Sequence, residues 1–116
     1  MSDITIYHNT ACSTSRNTLA LLREKGVEPK VVEYLKVGWT EPQLTALFKA
    51  MGVRPRDVLR VRGTNAEALG LTDPAASDAT LIAAMVKEPI LVERPIVVGP
   101  RGTALCRPVD KVLSLI

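Results

Sequence analysis

Aromatic side chains are scarce: one Trp, two Tyr and one Phe make up 3 % of the 116 residues. So few flat rings exclude a stacking platform for single-stranded nucleic acid. No apolar run approaches the roughly 18 residues of a membrane helix, and Met-Ser-Asp ahead of a short strand does not read as a secretory leader. Histidine occurs once, as His8, and cysteine twice, as Cys12 and Cys106. One histidine and two distant cysteines make no metal ligand set. The cysteines read as free thiols of a cytoplasmic chain rather than as a disulfide. Neither sign of charge dominates: 15 Lys and Arg face 12 Asp and Glu, a net charge of +3. That excess suits an anionic substrate and is too small to argue for nucleic acid. Internal repeats and low-complexity segments are also absent.

Hydrophobic residues make up 47 % of the chain, enough for a core without disulfide staples, and the length predicts one domain. The most informative stretch runs from Tyr7 to Thr18. Ahead of it, Ile4-Thr5-Ile6-Tyr7 alternates as a strand does. Behind it, Leu19, Ala20, Leu21 and Leu22 begin a helix that closes at Gly26. Between lie small polar residues with Cys12 among them. A cysteine at a strand-to-helix turn meets free N–H groups and the positive end of the helix dipole, which favour thiolate over thiol. The same N–H groups, joined by the hydroxyls of Ser13, Thr14 and Ser15, suit a tetrahedral oxyanion. Spacing excludes two other thiol chemistries. A Cys-x5-Arg phosphatase loop would need an arginine two places beyond Arg16, where Thr18 stands, and a Cys-x-x-Cys dithiol would need cysteine where Ser15 stands.

The run Tyr7-His8-Asn9-x-x-Cys12-Ser13-x-Ser15-Arg16-x-Thr18-Leu19 resembles the glutaredoxin-coupled arsenate reductase family. So do Leu59-Arg60, Arg94-Pro95-Ile96-Val97-Val98 and Leu105-Cys106-Arg107-Pro108, in register from about residue 3 onward. Thr10 departs from the pattern, since many members carry proline there; every reactive group stays in place.

In chain order, the first strand and helix (about Ser13 to Lys25) lead to a second strand, Val31 to Leu35, giving a parallel βαβ unit. Thr40 and Gln43 form a capping box for a helix carrying Leu44, Leu47, Phe48 and Met51 and stopping at Gly52. Short helices are expected over Pro55–Leu59 and Asn65–Leu69. Ser77 or Asp78 caps a longer one with Leu81, Ile82, Met85 and Val86 on one side. Thr40 to Pro89 therefore reads as a helical insertion. Ile96-Val97-Val98 and Thr103 to Cys106 form a hairpin around Gly99-Pro100-Arg101-Gly102, and Pro108 opens a last helix. The expected fold is α/β and thioredoxin-like: a mixed four-stranded sheet with helices and a helical lobe inserted between strands 2 and 3, all within one domain over residues 1–116.

Cys12 is the expected nucleophile; its polar neighbours tell against a merely structural, buried cysteine. His8 either pairs with the thiolate or supports Ser15 and the turn. Ser15 either donates a hydrogen bond to the Cys12 sulfur or caps the helix. Arg60, Arg94 and Arg107 match the oxyanion-binding arginines of the family, and Arg94-Pro95 stands where thioredoxin-like folds place a cis-proline loop. Guanidinium groups there would grip an oxyanion bidentately. Arg54, Arg56 and Arg62 read as a solvated face, Arg16 and Asn17 as residues that shape the turn, and Cys106 as structural.

The resemblance implies an arsenate reductase with no bound cofactor or metal. Cys12 would form a covalent adduct with arsenate, glutathione as co-substrate would reduce it, and glutaredoxin would clear the mixed disulfide. Two other classes compete. One is a thioredoxin-like redox regulator that binds RNA polymerase, disfavoured by serine at position 15. The other is a glutathione-dependent thiol oxidoreductase indifferent to arsenate.

Overall fold

The computed structural model describes residues 3–116. The chain forms two compact units, Met1–Val37 with Arg94–Ile116, and Gly38–Glu93. The first carries the sheet. Strands β1 (Thr5–His8), β2 (Lys30–Glu33), β3 (Ile96–Gly99) and β4 (Gly102–Leu105) lie in the order β2-β1-β3-β4. β1 and β2 are parallel, with Ile6 opposite Val31; β3 runs antiparallel to both β1 and β4. Helix α1 (Ser13–Glu24) links β1 to β2. This is the expected thioredoxin-like arrangement, a mixed four-stranded α/β sheet.

Alternation places Ile4 and Ile6 on the face that α1 covers. They join Leu22, Val97, Cys106, Val112 and Leu115 in one buried cluster. The helix closes as its sequence predicts: Gly26 takes φ +78°, and Val27 N–H bonds back to Leu22 O at 2.9 Å, which satisfies a carbonyl that would otherwise be orphaned.

Two elements of this unit differ from the sequence expectation. The second strand ends at Glu33, and Tyr34–Val37 is a helical turn, α2. Lys36 meets Glu33 at 3.4 Å, a pairing three residues apart that a turn allows and an extended strand does not. The last segment, Val109–Leu115, is a 3₁₀ helix rather than an α-helix. Pro108 offers no side-chain cap. Ser114 Oγ donates to Lys111 O at 2.8 Å, a local bond that competes with helix geometry.

The second unit is helical. Helix α3 (Glu41–Met51) begins with the complete Thr40–Gln43 capping box and ends on Gly52 in the left-handed region. Pro55–Val58 is a 3₁₀ turn, and Ser77 caps helix α4 (Asp78–Lys87), which buries Leu81 and Met85 while Val86 faces solvent. The helix expected over Asn65–Leu69 is absent. Thr64 Oγ1 bonds to the carbonyls of Arg60 and Val61 and accepts from Ala66 N–H, and Leu71 N–H returns to Ala66 O at 3.0 Å. The result is a series of turns in a span too short to offset the cost of helix nucleation. Among the described residues, no helix is long and apolar enough to cross a membrane.

Gly99 ends β3 where a Cβ would lie 2.6 Å from Ile4 Cδ1 and 3.0 Å from Leu115 O. The second neighbour is backbone and yields little. Gly99→Ala should therefore lower unfolding stability by about 1–3 kcal/mol, the usual cost of overpacking, as read from urea denaturation monitored by circular dichroism.

Candidate active site

The site is built on the turn between β1 and α1. Asn9, buried at 4 % exposure, shapes it twice: its backbone O accepts from Cys12 N–H at 3.0 Å, and its Oδ1 accepts from Ala11 N–H at 2.9 Å. This is the Asx-turn chemistry that asparagine favours. Sequence reasoning quoted Asn9 in the motif without giving it this part; an asparagine at the head of a short polar turn was the available signal. Arg16 braces the outside, its Nη1 donating to Thr10 O at 2.9 Å.

Cys12 is the N-cap of α1, with extended φ and ψ and no side-chain cap. Its sulfur is thus free for chemistry, at the positive end of a 12-residue helix. Ser15 does not cap the helix through its hydroxyl. Its Oγ lies 2.6 Å from His8 Nδ1 and accepts from Asn9 N–H at 3.1 Å, fully buried. His8 therefore sits against Ser15, and the pair pins the end of β1 to the first turn of α1. Burial is the main cause that holds the His8 pKa below its ordinary value; nearby Glu33 opposes this, while Arg23 and Arg16 reinforce it.

Burial alone would raise the Cys12 pKa, but donors aimed at the sulfur outweigh it. The Ser15 backbone N–H, the Arg94 side chain and the Arg107 side chain together hold the thiol below its ordinary value. Arg107 Nη1 lies 3.9 Å from Cys12 Sγ and also donates to Arg94 O at 2.9 Å, so one guanidinium ties the loop of the other to the sulfur. Both arginines precede cis peptide bonds, Arg94–Pro95 at the entry to β3 and Arg107–Pro108 beyond β4. Arg94 is only 7 % exposed, and its buried Nε and Nη1 find no hydrogen-bond partner among the described residues. These are donors in want of an acceptor.

The other sequence-singled residues have partners of their own. Arg60 belongs to the helical unit, where its Nη1 pairs with Glu93 at 3.1 Å, both side chains largely buried. Arg56 is not on a solvated face: half-buried, it donates through Nη2 to the carbonyls of Pro74 and Ala76. Arg54 pairs with Asp78 at 3.0 Å. Cys106 is fully buried in the apolar cluster one residue past β4, and burial pushes its thiol up to about 12 despite the opposing Lys111. Among the described residues, no three His, Cys, Asp or Glu side chains gather as a metal site.

A cysteine with a lowered pKa at the first turn of a thioredoxin-like sheet, faced by two arginines on cis-proline loops, defines a single-cysteine site in that fold class. Comparison with known proteins narrows the class. Residues 7–115 match the model of the ArsC family, and the chain belongs to that family. It is 51 % identical over 113 residues to a Rhizobium meliloti (strain 1021) protein named arsenate reductase, covering 97 % of this chain and 81 % of that one. An arsenate reductase of Escherichia coli (strain K12) is 47 % identical, covering all of this chain and 82 % of its own. The solved structure of an arsenate reductase from Vibrio cholerae superimposes with a TM-score of 0.93 at 38 % identity, over 97 % of each chain.

The two thiols should separate cleanly in titration. Alkylation of Cys12 by iodoacetamide should rise with pH through an inflection below the value of about 8.5 for a free cysteine, and Arg107→Ala should move it upward. Cys106 should resist alkylation in the folded protein across the same range. Mass spectrometry of the labelled peptides reads both.

Proposed function

We propose that this protein is an arsenate reductase in which Cys12 is the nucleophile, Arg94 and Arg107 hold the oxyanion, and glutathione with glutaredoxin supplies the reducing thiols. The observation that carries the reading is the Cys12 sulfur, its thiol held below its ordinary pKa and faced by two arginines, one with unpartnered buried donors, in a chain about half identical to proteins named arsenate reductase.

The thiolate attacks arsenic(V), and an oxygen leaves as water, giving a Cys12–arsenic(V) adduct. Arg94 and Arg107 neutralise the charge that builds on the remaining oxygens. The thiolate of glutathione then attacks Cys12 Sγ. A sulfur–sulfur bond forms, the sulfur–arsenic bond breaks, and arsenic keeps the electron pair, departing as arsenite. Glutaredoxin exchanges its own thiol into the Cys12–glutathione disulfide and restores Cys12. His8 and Ser15 support this by fixing the turn whose N–H faces the sulfur.

An external thiol is required in this scheme because position 15 is serine and Cys106 is buried with a raised pKa. The family motif adds Arg60 as a third oxyanion ligand; that assignment rests on the motif alone, and Arg60→Ala tests it. Neither metal nor bound cofactor enters the scheme, and a cytoplasmic setting supplies glutathione.

Arsenate-dependent oxidation of glutathione, coupled through glutaredoxin, should be measurable with the parent protein and lost in Cys12→Ser. Arg94→Ala and Arg107→Ala should each lower kcat/KM for arsenate by roughly ten- to a hundredfold, the value of a charge-assisted hydrogen bond of about 1.5–3 kcal/mol, and Lys should rescue only in part. Cys106→Val should keep the activity. An enzyme that released arsenite without glutathione and accumulated a Cys12–Cys106 disulfide would refute the external-thiol scheme. A parent protein inert to arsenate would refute the function.

A further inference from the structure

An open cleft of about 520 Å³ runs along the outer face of α1, lined by His8, Thr10, Arg16, Leu19, Ala20 and Arg23. The four helical residues fall at spacings of three, four and seven, so they form one stripe on one face. Over those seven residues the helix advances about 10.5 Å. The stripe has a guanidinium at each end, an apolar floor of Leu19 and Ala20 between, and no acidic residue in its lining. His8 and Thr10 bring its near end to the segment that leads directly into Cys12.

We infer that this cleft receives a carboxylate-bearing arm of glutathione while the glutathione thiol reaches Cys12; the inference rests on the reading of glutathione as reductant given above. Charge complementarity selects this occupant. Glutathione carries two carboxylates and one ammonium, a net charge of −1, on arms with short apolar methylene stretches, whereas a simple thiol such as 2-mercaptoethanol has nothing for the guanidinium groups to hold. Both arginines keep donors in reserve. Arg16 uses Nη1 on Thr10 O, and Arg23 uses Nε on Glu28, at 3.1 and 3.2 Å to its two oxygens. The Arg23–Glu28 pair is solvent-exposed and so is weak enough for a ligand carboxylate to share or displace. The covalent step is unchanged: the glutathione thiolate attacks Cys12 Sγ, the sulfur–arsenic bond breaks with its electron pair on arsenic, and the mixed disulfide forms. The cleft sets where the attacking thiol comes from and which thiols are preferred.

The test is steady-state kinetics with glutathione and, separately, 2-mercaptoethanol as the varied thiol at saturating arsenate. Arg23→Glu should raise KM for glutathione by at least about fivefold, an exposed ion pair's worth and its reversal, with KM for 2-mercaptoethanol unchanged. Ala20→Phe, which fills the floor of the cleft without touching a charge, should do the same. Glu28→Gln should lower KM for glutathione by freeing Arg23. None of the three should alter KM for arsenate or the alkylation profile of Cys12. Should Arg23→Glu and Ala20→Phe both turn over glutathione with KM within twofold of the parent, the cleft assignment is wrong while the reductase reading stands. If the parent reduces arsenate with some other thiol but never with glutathione, the glutathione reading falls and this inference falls with it.

Discussion

The interaction on which this structure depends is the contest over one sulfur. Cys12 is partly withdrawn from water, which opposes the thiolate; a backbone N–H and two guanidinium groups reverse that preference. Each donor comes from a different part of the sheet-bearing unit. The first turn of α1 supplies Ser15 N–H, the entry to β3 supplies Arg94, and the exit from β4 supplies Arg107. The hydrogen bond from Arg107 Nη1 to Arg94 O then makes the two loops a single assembly. The antiparallel pairing of β3 with both β1 and β4 brings these segments together, so the topology and the ionisation state of Cys12 are parts of one design.

Cys106 shows what the same residue becomes without that assembly. It packs among Ile6, Leu22, Val97 and Val112, and its Sγ donates to Ala104 O at 3.8 Å. Burial outweighs the opposing charge of Lys111 and drives the pKa up rather than down. A thiol so protonated neither attacks nor resolves. One of the two thiols is thus faced by donors and the other is packed in the core, and for that reason the proposed scheme draws on an external thiol.

How much of this was legible in the sequence follows from how local each cause is. The first strand, α1 and the α3 capping box were readable because period, cap residues and closing glycines lie within a few positions of one another. The 3₁₀ character of Val109–Leu115 and the turns at Asn65–Leu69 were not, because the hydroxyls of Ser114 and Thr64 bond to nearby backbone groups, a local alternative that periodicity does not reveal. At the site, Cys12 announced itself by its place between strand and helix. The seating of Ser15 against His8 and the link from Arg107 to the Arg94 carbonyl span partners chosen by tertiary structure, which spacing does not encode. Arg56 is the clearest misreading. In sequence it is one of several basic residues along a polar stretch, yet it ties down the carbonyls of Pro74 and Ala76.

Arg56 and Arg94 together show what an unpartnered donor does and does not mean. Each has buried guanidinium nitrogens with no acceptor, and an unsatisfied buried donor on a charged group costs stability. In Arg56 the unmet atom is Nε alone, while Nη2 holds two backbone carbonyls. The residue serves the fold, and the single lapse is offset by the contacts it makes. Arg94 leaves both Nε and Nη1 unmet, and its remaining interaction is with the Cys12 sulfur. A fold keeps such a group where an acceptor arrives from outside, and a tetrahedral oxyanion set beside a thiolate nucleophile is an acceptor of the right charge. The orphaned donors by themselves would mark either arginine; what separates them is that Arg94 faces the Cys12 sulfur while Arg56 holds backbone carbonyls, and that is why Arg94 is the one proposed as an oxyanion ligand.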